Sequence, residues 1–281
     1  MTKIREELFE FRKKIDQIDL KILKLLEDRM DIVQEVGKFK SKKKDKFFIK
    51  SAREADMINN LVKKSSNNIF SETIIAIWRK IITNANLLEQ KIKIALHNPE
   101  QHSDYKYILK EYFNNLVPIS NFKNTSNVIN SLEKGEFQIA AFLLPKHPEN
   151  FTNDSWWINF ANNNDIKIYA KTSFGIKDKN NDKPDLVLAA KKEIEKSSSD
   201  NTLSVVEFKN NINRSDIINE LKLLNFDFKI LDESNISQIN NIDFYLIEFI
   251  GFFDFKDKKI QKLQNSKLKP LIKIIGYYSC N

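Results

Sequence analysis

Residues 8–29 read LFEFRKKIDQIDLKILKLLEDR. Apolar side chains recur at Leu8, Phe11, Ile15, Ile18, Ile22 and Leu25, three and four apart, and the pattern continues through Ile32 and Val36 with no Pro or Gly before Gly37. This spacing predicts one amphipathic helix from about Glu6 to Lys40. At 1.5 Å per residue it would run about 50 Å, longer than an ordinary globular helix, so a partner along its length is expected. Working outward, Ser51 and Glu54 form a capping-box pattern that opens a second helix. Ser71 is read as the cap of a third, which carries Ile74, Ile75, Ile77, Trp78, Ile81 and Ile82 towards Gln90. Residues 1–90 thus read as three helices.

After Gln90 the periodicity changes. Lys91 to Leu96 is strand-like, Tyr105 to Phe113 helical, Leu116 to Ile119 strand-like, Val128 to Lys134 helical, and Ile139 to Leu144 a continuous apolar strand ending at Pro145. These are βαβ units. His147 to Asp165, with Trp156 and Trp157, reads as irregular and the Trp pair as lobe packing. Ile166 to Lys171 and Leu186 to Ala190 are two further strands around a polar loop, Lys177 to Asp185. Ser197 to Asp200 is read as a linker. Beyond it, Leu203 to Phe208, Ile217 to Leu224, Phe226 to Leu231, Phe244 to Ile250, Lys256 to Leu263 and Ile272 to Tyr278 give β, α, β, β, α, β, the order of a ferredoxin-like sandwich.

Composition narrows the function. The chain has 281 residues, 41% apolar and 11% aromatic, which argues against wholesale disorder and allows about two domains or more. A single cysteine, Cys280, excludes a disulfide framework and a multi-Cys zinc site, and three scattered histidines, His97, His102 and His147, argue against a His-built one. His97 and His147 are read as loop residues without function. The first residues go directly into charge, and the most apolar stretch, Phe244 to Phe255, is broken by Glu248 and Asp254. A soluble cytoplasmic protein is expected. The formal charge of +8 accompanies a general excess of Lys, Asn and Ile, and the cluster Lys42 to Lys46 has no interleaved aromatics, so it is read as a solvated loop. Neither a nucleic-acid nor a membrane partner is expected.

Cations on the first helix are informative. Arg29 and Lys40, eleven positions apart, return to within about 20° of one helix face with Cα atoms about 16 Å apart, leaving room for a compact dianion. Arg12 lies about 25 Å before Arg29 and points about 100° away, so it could serve such a site only in a symmetry mate. Spacing alone leaves open that all three are exposed helix cations.

The ordered set Arg12, Ile15-Asp16, Ile18-Asp19, Leu25-Leu26 with Arg29, Val36-Gly37 with Lys40, Arg53-Glu54 and the run Ile77 to Ile82 resembles the all-helical class of chorismate mutases over residues 5–90. The resemblance implies an intertwined helical homodimer that rearranges chorismate to prephenate by an intramolecular Claisen reaction, in phenylalanine and tyrosine biosynthesis. It implies no metal, redox cofactor or covalent intermediate, in keeping with a sequence that offers no Gly-rich phosphate loop or nucleophilic triad. By position it implies catalytic Arg29, Lys40 and Glu89, and substrate-binding Arg12 (from the partner chain), Arg53, Glu54 and Ala85. Arg12 and Arg29 meet carboxylates, Lys40 a carboxylate and the ether oxygen, and Glu54 the ring hydroxyl. The chain departs from the pattern at Lys50, Ala85 and Glu89. Glu89 must carry a proton to donate to the ether oxygen, so activity is expected to rise as pH falls.

Residues 91–281 resemble, more weakly, the region C-terminal to the mutase in fused chorismate mutase/prephenate dehydratases. Residues 1–91 read as the mutase domain, 92–198 as a degenerate dehydratase-like α/β lobe, and 199–281 as an ACT-like, ferredoxin-like domain, giving a multidomain chain of α and α+β class. The dehydratase Thr-Arg-Phe motif is missing, with Lys183-Pro184-Asp185 in its approximate place. Asn98 and Gln101 stand where glycines are expected. Asn213-Arg214-Ser215 and Asp232-Glu233-Ser234 occupy the regions of the ACT phenylalanine signatures. A bifunctional mutase/dehydratase and a non-catalytic metabolite-sensing module on a helical dimer are the alternative readings.

Overall fold

The computed structural model describes residues 2–40, 49–66, 68–145, 155–173, 184–193, 195–209, 212–235 and 242–279. In chain order the elements are α1 (Thr2–Lys40), α2 (Ser51–Lys64), α3 (Ser71–Glu89), β1 (Ile94–His97), α4 (Ser103–Tyr112), β2 (Ile119–Phe122), α5 (Thr125–Glu133), β3 (Ile139–Leu144), α6 (Trp156–Phe160), β4 (Ile166–Lys171), β5 (Asp185–Lys191), β6 (Asp200–Lys209), α7 (Arg214–Leu223), β7 (Phe228–Asn235), β8 (Ile242–Ile250), α8 (Lys258–Gln264) and β9 (Leu271–Ser279). The Lys42 to Lys46 cluster, His147 and Cys280 lie outside the described residues, as do Lys183 and most of the Lys177 to Asp185 loop.

Contacts divide the chain into two units, Met1–Phe48 with Ile81–Lys91, and Ile49–Lys80 with Ile92–Asn281. The first holds α1 and the C-terminal half of α3. The apolar stripe that predicts α1 lies open along the helix: Phe11, Ile15, Ile18, Ile22, Leu25 and Ile32 are each at least half exposed. No helix among the described residues is long and apolar enough to cross a membrane. Nor do those residues contain a cluster of three or more His, Cys, Asp or Glu side chains suited to a metal ion.

The second unit is built on a nine-stranded sheet in the order β2-β1-β3-β5-β4-β9-β6-β8-β7. β1 pairs in parallel with both β2 and β3, the βαβ arrangement expected from the alternation of apolar runs. β5 is antiparallel to β3 and β4. The last four strands, β9-β6-β8-β7, are antiparallel throughout, and α7 and α8 bury Ile217, Leu221, Ile260 and Leu263 on one face of them, the ferredoxin-like arrangement. On the opposite face a second core gathers Trp156, Trp157 and Phe160 with Phe142, Ile168, Val205, Leu246 and Tyr278. Phe142 stacks on Trp156 at 4.4 Å. The Trp pair is therefore packing, as expected, but it sits on the short helix α6 rather than in irregular chain.

The two strand groups meet where β4 runs parallel to β9 at Ile168 and Gly276. A Cβ on Gly276 would lie 2.3 Å from the Ile168 carbonyl oxygen, so only glycine permits this approach.

The structure corrects several further readings. α2 begins with Ser51 inside its first turn: the Glu54 N–H bonds the Lys50 carbonyl at 2.9 Å and the cap position uses no side chain, so the capping box does not form. Likewise, the Phe70 carbonyl accepts from Thr73 and Ile74, so Ser71 is the first helical residue of α3 and not its cap. Ser197 to Asp200 is a hydrogen-bonded bend with Ser197 and Asp200 buried, rather than a linker. There the Asp200 carboxylate accepts from the Ser197 N–H at 2.7 Å and from the Ser197 hydroxyl, and Asp200 already belongs to β6. His97 is the buried last residue of β1, not a loop residue, with Nε2 3.4 Å from the Thr125 hydroxyl.

Candidate active site

Lys40 is the last residue of α1 and Glu89 the last of α3. Their side chains meet within the first unit: Nζ lies 3.1 Å from Oε2 and 3.3 Å from Oε1, and the Glu89 side chain is only 6% exposed. Gly37, one turn before Lys40, lies against the Glu89 side chain, which lets the two helix ends approach. Ala85, one turn before Glu89, is buried. Arg29 is half-buried on α1, and Met30 beside it receives the Asn84 amide of α3 at 3.4 Å. Arg12 is exposed among the open apolar positions. An ammonium held at this helix end is a donor that can serve an oxygen on which negative charge develops.

Arg53 and Glu54 lie on α2, in the second unit. Arg53 is exposed; Glu54 is half-buried, with Oε2 3.7 Å from the Arg79 guanidinium of α3. That guanidinium is itself covered by the Tyr112 ring at 4.7 Å from its centroid. Burial pushes the Tyr112 hydroxyl above its ordinary pKa, against the opposing pull of Arg79, and the neighbouring Tyr169 is raised well above for the same reason. Glu54 thus has a structural partner in Arg79. Arg79 has no role in the sequence reading. Its signal was a lone charge inside the apolar stripe Ile75, Arg79, Ile82 of α3.

Asn98 and Gln101 also find an explanation. The Asn98 amide donates to the His102 carbonyl and accepts its N–H, each at 2.9 Å, closing the turn after β1. Gln101 holds φ +59, the left-handed conformation that glycine favours.

Residues 11–90 match the family described as chorismate mutase type II. The chain therefore carries a chorismate mutase type II domain in its helical part, followed by a mixed α/β sheet region. Among curated relatives, the chain is 35% identical over 99 residues to a bifunctional chorismate mutase/prephenate dehydratase of Aquifex aeolicus, covering 34% of this chain and 27% of that protein. It is 25% identical over 116 residues to one of Stutzerimonas stutzeri, covering 40% and 32%. The chain thus spans about a third or less of the length of these relatives. Among solved structures, a quorum-quenching acylase, GqqA, aligns with a TM-score of 0.50 at 10% identity over 68% of this chain and 96% of that one, a likeness of fold alone. A prephenate dehydratase from Streptococcus mutans aligns with a TM-score of 0.46 at 14% identity over 67% and 98%.

Proposed function

We propose that this protein is a chorismate mutase, an isomerase that converts chorismate to prephenate in phenylalanine and tyrosine biosynthesis, acting in the cytoplasm without a cofactor. The observation that carries the reading is the Lys40–Glu89 pair at 3.1 Å, two motif positions separated in sequence yet adjoining inside the segment that matches the family.

The mechanism is one of positioning and charge. Chorismate is a dicarboxylate that must fold into a chair-like geometry, and fixed cations at both ends remove much of the entropic barrier. Arg29 is assigned to a carboxylate, Lys40 to a carboxylate and the ether oxygen, and Glu54 to the ring hydroxyl, with Arg53 and Ala85 as further substrate-binding residues. As the ether bond breaks, negative charge grows on its oxygen, where a preorganised donor contributes about 3–4 kcal/mol. Lys40 supplies one donor. Glu89 is assigned as the other.

Arg12 is assigned to the site of a second copy of the chain, in a homodimer. The open stripe on α1 supports this, because each of its large apolar side chains would contribute about 1.5–3 kcal/mol on burial. The functional segments are 1–91 for the mutase, 92–198 for a degenerate dehydratase-like lobe and 199–281 for an ACT-like domain. The antiparallel β9-β6-β8-β7 group with two helices on one face supports the last assignment.

Incubating the purified protein with chorismate, and following chorismate loss together with phenylpyruvate, tests this reading. Chorismate should disappear without phenylpyruvate, and Arg29→Ala should abolish the loss. Phenylpyruvate formation would favour the bifunctional alternative, and inert chorismate would favour a sensing module.

A further inference from the structure

Helix α2, which carries Arg53 and Glu54, is fastened at its start to the segment between β5 and β6. Lys50 stands where the helical mutase pattern has an acidic residue, and its ammonium lies 2.7 Å from Glu195 Oε1, both side chains being about one-third exposed. One residue earlier, the Ile49 carbonyl accepts from the Lys192 ammonium at 3.1 Å. One turn into the helix, the Asp56 carboxylate accepts from the Ser198 N–H at 3.1 Å and from its hydroxyl at 2.5 Å. Beneath these polar contacts Ile49, Ala52, Ala55 and Ile58 are buried. Three contacts from one short stretch of chain thus fix both the axial position and the rotation of α2, and with them the direction in which Arg53 points.

We infer that Lys50 and Asp56 are positioning residues, through which the segment carrying Lys192, Glu195 and Ser198 sets the placement of Arg53 and Glu54 for substrate. The inference rests on the mutase reading and gives the C-terminal region a part in that reaction. It also accounts for the departure at Lys50: in this position a lysine meets Glu195, whereas an acidic residue would repel it.

The test uses full-length protein and charge reversal. Glu195 is in neither the catalytic nor the binding set, yet Glu195→Lys is expected to raise KM for chorismate about threefold or more, with a smaller change in kcat, as loss of a half-buried ion pair would give. Lys50→Glu combined with Glu195→Lys, which restores the pair with its charges exchanged, should return KM to within about twofold of wild type. A purely structural role would lower the melting temperature of Glu195→Lys and leave KM unchanged. Wild-type KM in Glu195→Lys, or a defect that the exchange leaves in place, would overturn the inference while wild-type turnover leaves the mutase reading standing. A wild-type chain that leaves chorismate intact would instead refute the mutase reading itself.

Discussion

The Trp157 indole N–H donates to Asp232 Oδ2 at 3.0 Å, in a core where the indole is fully buried. Burial raises the Asp232 carboxyl above its ordinary range, while the indole and the Glu233 backbone N–H pull it back. Because the folded chain holds this proton more tightly than the unfolded one, ionisation of Asp232 weakens the fold as pH rises through the carboxylate range. Trp157→Phe removes one donor and should cost about 1–3 kcal/mol at neutral pH, and less at about pH 5. Urea unfolding at both values checks this; equal losses would contradict it. Gln101→Gly should gain about 1 kcal/mol or less, seen as a higher melting temperature, since it relieves a left-handed backbone at φ +59. In the site, Glu89→Gln keeps a group that can donate while Glu89→Ala removes it, so turnover should survive the first change and fall in the second; equal turnover in the two would remove Glu89 from the mechanism. At this scale Lys40 was singled out by its motif spacing and Glu89 by its position although its residue type departs from the motif, and the two side chains meet at 3.1 Å. The sequence was not legible for Arg79, whose partners Glu54 and Tyr112 come from separate elements.

Among elements, β3 and β4 coincide with their expected bounds, β3 as a continuous apolar run, whereas the mixed Ile-Ser-Asn-Phe of β2 was read three residues early, at Leu116 to Ile119. Helix ends were less legible. Ser51 and Ser71 look like caps, but the carbonyls of Lys50 and Phe70 take that place, a shift of one residue that composition does not encode. The five-residue α6 offers too little periodicity to be recognised at all. For α1 the stripe was plain, and its exposure along the structure makes a specific demand. Ile18→Asp on this face should convert a dimer to a monomer and abolish turnover, measured by light scattering coupled to gel filtration. A dimer that persists would contradict the proposed interface.

Across the whole molecule, the sequence divided naturally at residue 198, but the sheet does not. β4 and β9 pair through one close approach at Gly276, and nothing local to either strand announces a partner more than a hundred residues away. Gly276→Ala should therefore destabilise the sheet and lower the melting temperature, and an unaffected melt would show that the junction tolerates a side chain. The segment before β6 was read as a linker for the same reason, since its Ser-rich composition conceals hydrogen bonds made within the fold. In the proposed homodimer two copies of this molecule close around one dicarboxylate, with Arg29 from one and Arg12 from the other. Mixing Arg12→Ala with Arg29→Ala, each inactive alone, under conditions that exchange subunits, tests it most directly. Half the dimers become mixed, each with one intact site, so chorismate turnover should recover to about a quarter of wild type. No recovery in a mixture that demonstrably exchanges subunits would contradict a site shared between two chains.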